Sequence, residues 1–198
     1  MSNPDTDGLK IGDLISLKST KWEAYLAAEG ILLDDLVVSE NLNNFGDCIF
    51  CVHLQRQYSA SRELESFLET YNVDSDEIHN AVPDEAMKQY QKALEKGRDN
   101  EVHLNDAYMK NKVGQPVNFG DVIQLFHSKS KKYLVINPKQ LAKGERENSQ
   151  ALLSESGNIH SWLQFMPRFK IDREGDRILS GSESYLRIAE RSNEFIHA

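Results

Sequence analysis

The sequence predicts a mainly β, closed fold built from three hairpin repeats, with a pair of helices inserted into the first. The first observation is the repeat itself. Ile11-Gly12-Asp13-Leu14-Ile15-Ser16-Leu17 is followed by Tyr25-Leu26, with Tyr25 13 positions after its glycine; Phe119-Gly120-Asp121-Val122-Ile123-Gln124-Leu125 is followed by Tyr133-Leu134, with Tyr133 again 13 positions after Gly120. A weaker third copy runs from Ser180-Gly181-Ser182 through Leu186 to Phe195-Ile196, with Phe195 14 positions after Gly181 and serine in place of the aspartate. The second observation is spacing: 108 positions separate Gly12 from Gly120, but 61 separate Gly120 from Gly181, so the first repeat carries roughly 45 to 50 extra residues. Those residues have helical periodicity. Three hairpin units with little helix between them make a β-trefoil the leading architecture.

In each repeat, alternating apolar residues lead to a polar turn and then an aromatic-led second strand. The glycine ahead of the strand suits a turn that needs positive φ or close backbone approach. The alternation nominates Leu17, Tyr25, Leu26, Ile49, Leu125, Tyr133, Leu134, Trp162 and Phe165 as barrel core. Within the inserted arm, residues 61–112, Leu64, Phe67, Leu68 and Tyr71 recur at i, i+3, i+4 and i+7, the face of a helix that Ser59 or Ser61 can cap. A second helix is expected to open at Pro83-Asp84-Glu85, with proline first and acids in the first turn. Its face is Ala86, Tyr90, Ala93 and Leu94, and Gly97 either ends it or weakens it. Only 17 residues follow Gly181, room for one hairpin, so the third repeat is read as incomplete and the chain, a single domain over 1–198, as a fragment or truncated product. A barrel lacking two strands exposes edges that aggregate or pair with another chain.

Composition narrows the function classes. The chain has 198 residues, 39% hydrophobic and 27% charged, in the range of globular domains. Its 23 Lys+Arg against 31 Asp+Glu give a net charge of -8, which argues against a phosphate-tracking nucleic-acid binder. Residues 61–112 hold 12 Asp+Glu and 7 Lys+Arg, so most of the acidity lies on the insertion. No apolar run approaches the roughly 20 residues of a membrane-spanning helix. The acidic, polar start lacks the pattern of a secretory signal, so a cytosolic location is the default. The two cysteines, Cys48 and Cys51, exclude a disulfide framework.

The chemical motifs reduce to ordinary structure. Cys48-Ile49-Phe50-Cys51, with His53 nearby, lacks the second ligand pair of a zinc site and the helix of a redox motif; on a strand it gives one inward and one outward thiol. Asp74-Ser75-Asp76-Glu77 begins like a calcium loop, but His79 stands where glycine is needed, and an acidic turn explains it. The histidines show no metal spacing and no serine lies in an elbow motif, so no catalytic, metal or cofactor residue is assigned. Lys129-Ser130-Lys131-Lys132 is read as a solvated hairpin turn rather than a phosphate site. Trp22 and Trp162 are read as core or hairpin-packing aromatics.

Five stretches carry a family resemblance: Leu9-Lys10-Ile11-Gly12-Asp13-Leu14-Ile15-Ser16-Leu17, Tyr25-Leu26-Ala27-Ala28-Glu29-Gly30, Asp47-Cys48-Ile49-Phe50, Arg56-Gln57-Tyr58-Ser59-Ala60, and Phe119 to His127. With them the chain resembles the N-terminal domain of inositol 1,4,5-trisphosphate receptors, with ryanodine receptors as close relatives. Ser161-Trp162 and Met166-Pro167-Arg168-Phe169-Lys170 are similar to the Ser-Trp and Gln-Pro-Phe-Tyr-Lys stretch of those receptors. The resemblance is collinear from about Leu9 to Ala198 and includes a helical arm.

The resemblance implies a MIR-like β-trefoil that serves as the non-catalytic regulatory, or suppressor, domain of a tetrameric calcium-release channel on the cytoplasmic face of the endoplasmic reticulum. Expected partners are the remaining domains and neighbouring subunits of such a channel, with no nucleic-acid or membrane contact by this segment. In the family, inositol trisphosphate is held by a following basic domain pair, so this segment alone is not expected to bind it. The resemblance implies coupling through the loop around Arg168, Phe169 and Lys170. The arm around Leu64, Phe67, Leu68 and Tyr90 is expected to pack on its own trefoil or a neighbouring subunit. Departures touch two places: Gly46 replaces a usual arginine in a shortened segment before Asp47, and Phe169 stands where the family often has tyrosine, which keeps an aromatic anchor but removes a hydroxyl. Two alternatives stay open, a free-standing MIR-type trefoil that binds glycans or a protein, and a truncated paralogue that binds full receptors and dampens them.

Overall fold

The structure, a computed structural model, describes residues 8–40, 44–71, 85–142 and 147–197. The chain divides into two compact units, one formed by Met1–Gln55 with Lys112–Ala198, the other by Arg56–Asn111. In order the elements are β1 (Leu14–Ile15), β2 (Tyr25–Glu29), β3 (Asp35–Ser39), β4 (Phe50–Leu54), α1 (Ser59–Thr70), α2 (Glu85–Lys112), β5 (Val122–His127), β6 (Lys132–Leu141), β7 (Ser149–Ser154), β8 (Leu163–Pro167), β9 (Ser184–Ile188) and β10 (Arg191–Ile196). The fold is mainly β, with a two-helix insertion. The strands form one antiparallel sheet, β10-β9-β8-β5-β6-β7-β3-β2, with β4 joining β1 to β5.

The repeat read from the sequence is a repeat of turn geometry. Gly12, Gly120 and Gly181 all have positive φ, at 92°, 89° and 79°, where a Cβ is strained. The residue after each glycine closes the turn twice. Asp13, Asp121 and Ser182 donate their backbone N–H to the carbonyls of Lys10, Asn118 and Leu179, at 3.1, 3.1 and 3.0 Å. Their side-chain oxygens accept the N–H groups of the same three residues, at 2.8, 2.8 and 3.1 Å. The serine of the third copy thus does the work of the aspartates.

Register repeats as well. Gly12 donates to the Val52 carbonyl and Gly120 to the Phe165 carbonyl. Leu14 lies opposite Cys51, and Val122 opposite Gln164. One aromatic in each second strand faces the residue six after its repeat glycine: Tyr25 faces Lys18, Tyr133 faces Phe126 and Phe195 faces Arg187. The longer third spacing is absorbed by a register shift between Arg191 and Phe195.

The core of this unit sits where β4, β5 and β8 pair. Phe50, Val52, Ile123, Leu125, Leu134 and Leu163 are fully buried, each contributing about 2 kcal/mol of transfer free energy. Of the nominated core, Leu125, Tyr133, Leu134 and Phe165 are buried, but Leu17, Tyr25, Leu26, Ile49 and Trp162 are only half-buried, and Trp22 is 50% exposed. The first copy turns small residues inward instead: Ala24, Ala27 and Ala28 are buried, and β2 is the last strand of the sheet path. Cys48 is buried in a single 3-10 turn, Phe45–Cys48, rather than on a strand, while Cys51 is half-buried on β4.

In the second unit, α1 buries Leu64 and Phe67 against Leu94, with Leu68 and Met87 packed alongside. α2 runs unbroken through Gly97 for 28 residues, so that glycine does not end the helix. The expected opening at Pro83-Asp84 and the acidic turn at Asp74 lie outside the described residues.

Candidate functional site

The exposed loop between β8 and β9 is fixed at both ends. Where β8 ends, the Arg168 guanidinium donates to Glu183, at the far side of the loop, and to the Thr20 hydroxyl at 3.0 Å; its backbone N–H reaches the Glu183 carbonyl at 3.4 Å. Further along, Phe119 donates to the Asp176 carbonyl, Gly175 donates to the Phe119 carbonyl, and Ile178 is buried. A local turn closes when Asp172 donates to the Phe169 carbonyl at 3.2 Å.

The span between these anchors faces solvent. Phe169 is 49% exposed and Ile171 85% exposed, with Lys170 exposed between them. The Arg168 guanidinium carbon sits 5.5 Å from the Phe169 ring centroid, a cation–π approach that restrains the ring. The structure therefore places the three expected residues on one exposed span, with the Phe169 ring against the Arg168 guanidinium. Sequence reading missed the support: Thr20 lies 148 residues from Arg168, beyond any local pattern. The same turn carries Trp22, with the Lys21 ammonium 4.6 Å over its ring.

In the arm, Leu64 and Phe67 are buried between the two helices, Leu68 packs beside them, and Tyr90 stays half-exposed, its ring T-shaped to that of Phe67 with the centroids 5.5 Å apart. The N-terminus of α1 is capped from a distance. The Glu101 carboxylate accepts the Ser59 hydroxyl at 2.8 Å, the Ala60 and Ser61 N–H groups at 3.0 and 3.2 Å, and the Ser61 hydroxyl at 3.3 Å. The serines expected to cap instead donate to this acid, and the N-cap position, Tyr58, has no capping side chain. Burial alone would raise the carboxyl pKa, but these hydrogen bonds outweigh it and hold it below the usual range. Asn105 exchanges two hydrogen bonds with the Gln57 backbone, and Arg56 pairs with Asp106 at 2.7 Å, which is why the unit begins ahead of residue 61.

Two lysines of the basic turn are already partnered. Lys129 pairs with Asp47 at 2.6 Å, and Lys132 pairs with Asp34 and donates to the Leu32 carbonyl at 2.9 Å. Among the described residues, no group of three His, Cys, Asp or Glu side chains is placed to hold a metal ion, and no helix is long and apolar enough to cross a membrane.

The chain is 26% identical over 187 residues to the inositol 1,4,5-trisphosphate receptor itr-1 of Caenorhabditis elegans, covering 88% of this chain and 6% of that receptor. It therefore spans a small part of the curated relative it matches. Among solved structures it resembles a Caenorhabditis elegans structural-genomics protein of unknown function, with a TM-score of 0.57, 11% identity, and coverage of 96% of this chain and 79% of the other, a likeness of fold alone. The model of the inositol 1,4,5-trisphosphate/ryanodine receptor family matches residues 5–198, and the chain belongs to that family.

Proposed function

We propose that this chain is a β-trefoil regulatory module of an inositol trisphosphate-gated calcium-release channel on the cytoplasmic face of the endoplasmic reticulum. It modulates ligand affinity and gating through contacts with other domains and subunits, and has no catalytic role. The trefoil reading is supported by the shared turn and register of the three repeats, in which β1–β4 and β5–β8 pair alike and β4–β5 is matched by β8–β9. The observation that carries the coupling role is the β8–β9 loop, tied at Arg168 to Glu183 and Thr20 while Phe169 and Ile171 remain exposed. A pre-ordered aromatic costs little entropy on docking, the property of an interface anchor. The arm contributes Tyr90 and Leu68 at the edge of its own apolar cluster.

The test replaces the matching region of the worm receptor with residues 5–198 and measures inositol trisphosphate affinity and calcium release in microsomes. The exchange is expected to preserve regulation. Phe169→Ala is expected to shift the affinity or the release threshold several-fold, about 1 to 2 kcal/mol of coupling, without changing the fold. Ligand affinity and release that are indifferent to both changes would sink the proposal.

A further inference from the structure

Thr20 sits on an ordered, exposed turn between two cations, in Lys18-Ser19-Thr20-Lys21-Trp22. Ser19 frames that turn: it donates its backbone N–H to the Ala24 carbonyl at 2.8 Å, and its hydroxyl accepts the Trp22 N–H at 3.3 Å. The Thr20 hydroxyl has a different task. It accepts a hydrogen bond from the Arg168 guanidinium, 148 residues away, at 3.0 Å. Of the flanking cations, Lys18 pairs with Glu23 at 3.5 Å and the Lys21 ammonium lies over the Trp22 ring.

The guanidinium has donors that this arrangement does not use. Its Nη1 serves both Thr20 and Glu183, whereas its Nε and Nη2 have no hydrogen-bond partner among the described residues. Arg168 is exposed, so an anion reaches these donors without opening the fold. A planar guanidinium matches phosphate through two parallel hydrogen bonds, a geometry that a single neutral hydroxyl cannot exploit. We propose that Thr20 is a phosphoacceptor for a serine/threonine protein kinase that prefers basic flanks, and that Arg168 receives the phosphate. In the transfer the Thr20 oxygen attacks the γ-phosphorus of ATP and the Oγ1–P bond forms. The bond from that phosphorus to the β–γ bridging oxygen breaks, ADP leaves, and the hydroxyl proton passes to the kinase's own base. A charge of about −1.5 to −2 then stands where a neutral hydroxyl was. Glu183 shares Nη1 and competes with the new anion, but the phosphate is the stronger acceptor. The side-chain anchor of the β8–β9 loop therefore passes from Glu183 to the turn at Thr20. Resting on the coupling role proposed above for that loop, phosphorylation resets the Phe169 anchor and with it ligand affinity.

The site is tested in cells that make the worm receptor with residues 5–198 exchanged in, under a phosphatase inhibitor. Mass spectrometry is expected to find phosphate on Thr20; none there, or phosphate on Ser19 alone, overturns the assignment. The pairing is tested by phosphorus NMR on the 198-residue chain with phosphothreonine installed at position 20. Arg168 is expected to hold the second phosphate pKa below its ordinary value of about 6, and Arg168→Gln to return it there. The same pKa in both chains overturns the pairing. Microsomes from the cells, with and without phosphatase treatment, are expected to differ several-fold in inositol trisphosphate affinity, and in Thr20→Val that difference is expected to vanish. If Phe169→Ala shifts affinity but phosphate on Thr20 does not, the regulation fails and the coupling role stands. If neither shifts it, the coupling role fails, while the phosphate pKa still decides whether Arg168 receives the group.

Discussion

At the residue scale, the turn after each repeat glycine sets the strand that follows. Asp121 satisfies the Asn118 N–H and fixes the turn that launches β5. Asp121→Ala is expected to lower stability by about 1 kcal/mol, as at a lost cap, and Ser182→Asp to be neutral or stabilising, both read from the urea midpoint. His127 makes a prediction of different sign. It is fully buried, its Nδ1 accepts the Ser130 N–H at 3.2 Å, and its Nε2 donates to the Asp47 carbonyl at 3.1 Å. Burial pushes the imidazole below its ordinary value, with the Asp47 carbonyl pulling the other way. The neutral ring is the stable form in the fold. Its contribution is therefore complete above the unfolded imidazole pKa of about 6.5 and is lost as pH falls from there through the folded value. Urea midpoints between about pH 7.5 and 5 are expected to fall in the wild type, and to fall less steeply in His127→Gln. An unchanged slope in the variant would remove His127 from the account.

At the element scale, the arm shows which features a linear pattern can carry. Leu64, Phe67 and Leu68 were legible because a helix places them on one stripe, and that stripe is buried or packed in the structure. The cap was not legible: Glu101 stands 40 to 42 residues from the serines it binds, and only the pairing of α1 with α2 brings them together. Gly97 was ambiguous for a related reason. A glycine penalty of about 1 kcal/mol is small against the tertiary packing of a 28-residue helix. Glu101→Ala leaves the first-turn N–H groups of α1 without their acceptor and is expected to cost about 1 to 2 kcal/mol. Faster amide exchange at Ala60 and Ser61, with the β sheet unchanged, would identify the cap as the cause. Exchange that rises equally throughout the chain would instead point to a global effect.

At the scale of the whole molecule, the repeat was the most legible feature, because glycine at positive φ and an aspartate turn leave a fixed signature at fixed spacing. Core assignment succeeded in the second repeat and less well in the first, where β2 ends the sheet path and buries alanines in place of Tyr25 and Leu26. The β8–β9 loop was singled out through its resemblance to a family, and its anchorage on Thr20 emerged only in three dimensions. These differences predict a graded stability across the sheet. β5 is paired on both edges, with β4 along five residues and with β6 and β8 along shorter stretches, and its Ile123, Gln124 and Leu125 are fully buried. Among the described residues β10 is paired on one side, interrupted by a register shift, and mostly exposed. Amides of β4 and β5 are thus expected to open only with global unfolding, whereas those of β10 open through fraying that costs several kcal/mol less. Residue-resolved exchange at increasing urea checks this: β10 amides should be insensitive to low denaturant, and β4 and β5 amides should follow the global slope. Equal opening free energies across β4, β5 and β10 would show instead that the third repeat is as firmly held as the first two.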